Sequence, residues 1–489
     1  MTTGVHHVQM ISNVHRAKPA WIRLVHALPL LFAMGYLLTA HSLVGFEVQY
    51  FGLTVITAIG ATMLLHCLNG RMRETLPIWV MLAVFVTVYY LQFYVMLVRP
   101  EFTPRWLAQY ISPMLDAPHV LIRSYKVISY GFITFCLTAS PLLRYSKSAH
   151  LQVDSVRVNY RNVFELSVWA VMILISSTTF VMHVTGICMM SADSVHLPFR
   201  MAGWIFYVRT TFVPLLVVLC AWCSQRTHRK EYMYVTVVLA VLHGISDMLL
   251  TGSKGTLLVM FTMLALFFVL SRSFTRAQSS LFAFVLLFTV VFAWPLFATY
   301  RNIRAKDRTL PIVEALSLAN DNAFSAEGKH LAADTIIESC GLFFYRLLGA
   351  GILLIIVDAD VPPLILEKPS TSVNKFLTAD LMGVPVDANT TYGSSLFGWF
   401  YLVGGTSLVV VGVFSWTILV WAIWRYLFWL RLYCIQVAQV LLVFLVFSIS
   451  SNGGLDDQYL RILAAVGSIV VCELMVRRFG LFTLIKKRG

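Results

Sequence analysis

The chain has 489 residues, 58% hydrophobic and only 12% charged, with mean hydropathy +0.77 and a formal net charge of +14. Soluble domains carry about 25% charged residues, so a soluble globular fold is excluded. Continuous apolar runs of about 20 residues, rather than alternation, exclude a β-barrel and give an all-α polytopic membrane protein. The basic excess falls in the connections between apolar runs, where membrane helices carry it, so no nucleic-acid partner is expected.

In chain order, a polar leader, 1–23, carries Arg16, Lys18 and Arg23. No cleavable signal peptide is evident, because the apolar run that follows is long enough to stay in the membrane. Membrane helices are expected over 24–44, 50–68, 77–98, 126–143, 163–185, 202–223, 232–250, 255–270, 279–299, 395–424, 432–449 and 459–476. Between them, 99–124 has Trp106, Tyr110 and several prolines, as an interfacial segment would. The eight cysteines lie mostly in apolar runs. Cys220-Ala-Trp-Cys223 has redox spacing but no βαβ context, and reads as two buried thiols.

The positive-inside rule gives the orientation. With the leader inside, the inside connections hold 21 of the 37 Lys and Arg residues. Only Glu74, Asp154, Glu165, Glu231 and Glu473 are acidic there or on the flanks. The chain is therefore expected to be a single membrane domain, N-in and C-in, of about twelve helices. Its large extracytoplasmic loop spans 300–393 and its cytoplasmic tail 477–489. The apolar stretch 342–357 is short and contains Arg346. If it crossed, Arg425, Arg431 and Lys486 would move outside, so it reads as an interfacial or re-entrant helix. The run 395–424 has Gly404-Gly405 near its middle, where a helix tilts or breaks.

With sidedness set, the informative residues are cations on the other side. Lys254, Arg301, Arg304, Lys306, Arg308 and Arg346 lie outside or in the outer half, and Arg209 lies inside an apolar run. Intramembrane charge is costly and functional by default, and arginine forks suit phosphate. Together they read as a cationic pocket for a diphosphate headgroup, although Lys306 and Arg308 fit a solvated face better. His243 and Asp247 share a helix face, i to i+4. They read as a proton relay, as two of the ligands a metal would need, or, best, as an Asp247 paired with a nearby cation. The carboxylates of 358–393 and of Asn452-Gly-Gly-Leu-Asp-Asp457 are candidates for a general base, and the sequence does not choose among them.

Three stretches resemble the Wzy-like O-antigen polymerases, the oligosaccharide repeat-unit polymerase family. They are the Thr251-Gly-Ser-Lys-Gly255 turn opening an apolar helix, Tyr300-Arg-Asn-Ile-Arg304 before a large loop with Phe344-Tyr-Arg-Leu347, and the approach Asn389 to Gly398 to a helix with a mid-span Gly-Gly. The family commonly has arginine where Lys254 stands. The resemblance covers about residues 200–460. It implies a metal-independent, cofactor-free GT-C-like glycosyltransferase of the bacterial inner membrane. This enzyme would polymerise polyprenyl-diphosphate-linked repeat units at the periplasmic face, with lipid-linked donor and acceptor, membrane lipid and a chain-length regulator protein as partners. Under it, Arg209, Lys254, Arg301, Arg304 and Arg346 bind diphosphate, Asn389 and Tyr392 bind sugar, and Asp380, Asp387 and Asp456 are the candidate bases. A ligase of the same fold and a lipid-linked-sugar flippase are the alternatives. One-sided cations and the lack of an internal repeat disfavour the flippase.

Overall fold

The computed structural model describes residues 48–68, 74–100, 103, 105–144, 158–185, 201–251, 255–271, 294–307, 310–324, 349–360, 373–383, 393–430, 432–453 and 455–480. Among these the secondary structure is helical throughout, without strands. In order the helices are α1 (Val48–Leu68), α2 (Leu76–Val98), α3 (Arg105–Leu115), α4 (Pro118–Arg144), α5 (Tyr160–Thr185), α6 (201–227) and α7 (Lys230–Thr251). Next come α8 (Gly255–Ser271), α9 (Trp294–Lys306), α10 (Ile312–Phe324), α11 (Ala350–Asp358) and α12 (373–381). The last three are α13 (Leu396–Trp429), α14 (Ile435–Asn452) and α15 (455–480).

Eight helices are long and apolar enough to cross a membrane: α2, α4, α5, α6, α7, α13, α14 and α15. Each coincides with an expected span. The chain is thus a multi-pass membrane protein. Within α1 and α8, Gly52–Leu68 and Val259–Ser271 are shorter apolar helices, and the expected helix 24–44 and most of the expected 279–299 lie outside the described residues. Apolar residues encircle α14, which is the most buried of the spans. A helix apolar all round belongs inside, and α14 is packed by α2, α8 and α13 as well as α6 and α15.

Hydrogen bonds between helix ends sort the bundle into two faces. On one, Trp424 donates to the Glu74 carbonyl (2.6 Å), the Asn159 N–H to the Gly480 carbonyl (2.9 Å) and Gln225 to the Ser271 carbonyl (3.3 Å). Arg144, Arg226, Arg425, Arg477 and Arg478 sit at these ends, so we call it the basic face. On the other, the Ser395 N–H reaches the Asn452 carbonyl (3.0 Å), Arg123 pairs with Asp360 (2.6 Å), and the Tyr300 hydroxyl donates to the Leu249 carbonyl (2.9 Å). All these contacts join ends that charge alternation assigns to the same side.

Two half-helices lie toward the far face. α13 has 34 residues, or about 51 Å at 1.5 Å per residue, against a hydrocarbon layer of about 30 Å. It breaks at Gly404 and Gly405, the latter at φ +66° where glycine alone is unstrained. The chain folds back there, because a Cβ on Gly412 would lie 2.4 Å from the Phe400 ring. The second is α11. In this part of the stretch expected to be interfacial or re-entrant, residues 350–357 are all buried within the protein. Both halves start against α2. Gln92 Oε1 accepts the Gly349 and Ala350 N–H groups (3.1 and 2.8 Å), and the Tyr89 hydroxyl accepts the Phe397 N–H (3.0 Å). These satisfy helix-start donors that hydrocarbon would leave bare.

Candidate functional site

The charged layer is built on α5, α6, α7, α14 and α15. Arg209, Asp247 and Arg461 lie 17, 17 and 16 residues along their helices from Arg226, Lys230 and Arg477 at the basic face, that is, about 24–26 Å. All three therefore fall in the far quarter of a layer of about 30 Å. Charge inside a membrane helix is costly and usually paired, so each requires an account.

Arg209 is enclosed, at 2% exposure. Its Nε donates to Asp247 Oδ1 at 2.6 Å, Nη1 to Thr178 (3.0 Å) and Thr179 (2.9 Å), and Nη2 to Ser246 (3.1 Å). The Thr178 and Ser246 hydroxyls donate to the carbonyls of Leu174 and His243, so they turn lone pairs toward the guanidinium. The sequence explains the local backbone. Val213 N–H bonds Val208 carbonyl, and Pro214 has no N–H, so the Arg209 carbonyl loses both its α and its π donor. His243 Nε2 donates to that carbonyl instead, at 2.8 Å. His243 therefore secures the π-widened turn rather than forming a pair with Asp247.

This selects among the expectations. Arg209 is held in an ion pair with Asp247. Asp247 pairs with a neighbouring cation, and Arg209 is that cation.

Arg461 was not singled out in the sequence, yet it contrasts with Arg209. Its Nη1 donates to Ser448 Oγ at 2.7 Å and its guanidinium lies 5.2 Å from the Phe444 ring centre. Among the described residues it has no carboxylate partner. Counting back from Arg477 along the last apolar run would have found it. Helix α15 packs on the π turn of α6 that carries Arg209.

The other expected residues distribute as follows. On α9, Arg301 is exposed, whereas Arg304 is buried and donates to the Leu310 carbonyl, tying α9 to α10. That bond gives Arg304 a structural task. Tyr300 anchors α9 at Leu249, two residues from Asp247, so α9 meets the charged end of α7. Asp380 is exposed on the π turn of α12. Asn374 on α12 accepts the Ser394 N–H (2.9 Å), which brings α12 beside the α14 end and the start of α15. Asp456 belongs to the first turn of α15, with its side chain outside the described residues. Lys254, Arg346, Asp387, Asn389 and Tyr392 lie outside them as well. Cys220 and Cys223 are buried free thiols on α6.

No protein-family model, curated protein or solved structure matches the chain.

Proposed function

We propose that the chain is a polysaccharide polymerase of the bacterial inner membrane, a GT-C-like glycosyltransferase that joins polyprenyl-diphosphate-linked repeat units. In this reading the basic face is cytoplasmic and the far face periplasmic, with both termini inside. The eight long spans, α1, α8 and the expected helices 24–44 and 279–299 make twelve crossings.

The observation that carries the reading is the one-sided charged layer, in which Arg461 has no carboxylate partner among the described residues. A transporter would carry its charges through the midplane. A layer confined near one face suits chemistry on a lipid-borne headgroup held at that face. Exposed Arg301, with Lys254 and Arg346, would stabilise the charge that develops on the leaving diphosphate. A far-face carboxylate would take the acceptor hydroxyl proton, and Asp380, Asp387 and Asp456 are the candidates. Exposed Asp380 has the access this requires. The sugar bond to diphosphate breaks, a new glycosidic bond forms to the acceptor oxygen, and the diphosphate leaves with its lipid.

The test is a deletion strain in which surface polysaccharide is sized on a gel and lipid-linked intermediates are extracted. Loss of long polymer, with single repeats on the final acceptor, is expected, and Arg301→Gln or Arg346→Gln should reproduce it. Full-length polymer stranded on the carrier would make the protein a ligase. Intermediates confined to the inner leaflet would make it a transporter.

A further inference from the structure

Arg461 is partly buried and is held by fewer groups than Arg209. One N–H goes to Ser448, one ring face covers it, and its other N–H groups make no hydrogen bond among the described residues. Long cations near a helix end usually lift the charge to the interface. Arg461 does not. Its partners, Ser448 and Phe444, stand four and eight residues in from Asn452, about 6–12 Å below the end of α14. The guanidinium is turned sideways at depth, into the junction of α6, α14 and α15, with Tyr207 of α6 close enough to interact.

The surroundings restrict what can neutralise it. The α15 flank beside Arg461 is exposed and apolar, with Tyr459, Ile462, Leu463 and Val466 uncovered. A water-soluble anion has no apolar part to lie along this flank. A phosphate carried on a lipid reaches it from the interface while its tail lies along that flank. The guanidinium fork offers paired N–H donors to such an oxyanion.

We infer that Arg461, with Ser448 and Phe444, forms a binding seat for a lipid-borne phosphate on the far-face side of α14 and α15. The ligand is the diphosphate of a polyprenyl carrier or the headgroup of an anionic phospholipid, which share this chemistry. This rests on the proposed function only in the choice of the first probe.

The experiment measures binding alone, so it stands whether or not the protein polymerises sugars. Wild type, Arg461→Gln and Arg461→Lys are placed in phosphatidylcholine nanodiscs and titrated with undecaprenyl diphosphate or with phosphatidylglycerol. The Gln variant should weaken binding by about tenfold or more, and Lys, which keeps charge but loses the fork, by less. An effect on the diphosphate alone assigns the seat to the carrier, and an equal effect on both assigns it to headgroups. Unchanged affinity for both probes overturns the inference. A diazirine-bearing polyprenyl phosphate photolysed on the wild-type protein serves if the variants do not fold. Labels within 444–448 and 459–466 support the seat, and labels only elsewhere overturn it.

Discussion

Asp247→Asn isolates the buried ion pair. Asp247 and Arg209 are 3% and 2% exposed, and the Nε–Oδ1 distance is 2.6 Å. The amide keeps the shape and one acceptor but removes the only charge opposing Arg209 among the described residues. The hydroxyls of Thr178, Thr179 and Ser246 still accept from the guanidinium, so the loss is mainly electrostatic. Removing one partner of a buried pair costs about 3–5 kcal/mol, because the other charge stays buried. Arg209→Met should cost a similar amount by stranding Asp247. The double variant Arg209→Met/Asp247→Leu strands neither, and should be far more stable than the sum of the singles predicts. Cys136, Cys220, Cys223, Cys434 and Cys472 are buried, so a thiol-reactive dye reports unfolding in detergent as each variant is heated. The reasoning fails if Asp247→Asn lies within about 0.5 kcal/mol of wild type, or if the singles simply add in the double.

Other outcomes follow from the same packing. Gly453→Ala should destabilise by about 1–3 kcal/mol in the same assay, since φ is +64° and the added Cβ would lie 2.1 Å from the Ser395 carbonyl oxygen. Gln92→Leu should cost about 1–3 kcal/mol, because the Gly349 and Ala350 N–H groups lose their acceptor, and hydrogen exchange should rise first at the start of α11. Tyr89→Phe should do the same at the Phe397 N–H, at the start of α13, while leaving α11 protected. A C-terminal reporter should be active only in the cytoplasm; periplasmic activity would invert the proposed orientation.

Composition and periodicity made the membrane class, the eight described spans and the pairing of helix ends by side legible before any coordinates. Those features depend on local hydrophobicity and charge, and each run carries its own signal. The break at Gly404-Gly405 was legible for the same reason, since two adjacent glycines remove side-chain support wherever they fall in a helix. The Asp247 pairing was partly legible: an intramembrane carboxylate demands a cation, but the sequence does not say which one. Arg209 stands 38 residues away on another helix, and only packing, with Pro214 opening the turn beside it, brings the two together.

The tertiary structure alone separated the two deep arginines. Both are cations at similar depth in apolar runs, and the sequence does not show which one meets a carboxylate on another helix. Helix α7 presents Asp247 to Arg209, whereas α14 presents only Ser448 and Phe444 to Arg461. The fate of 350–358 was likewise decided by its neighbours. A short apolar helix suits an interface or a core equally well, and it is buried here because Gln92 accepts its first N–H groups inside the bundle. Hydrophobicity fixes which residues leave water, and the partners a buried polar group finds there depend on which helices the fold sets side by side.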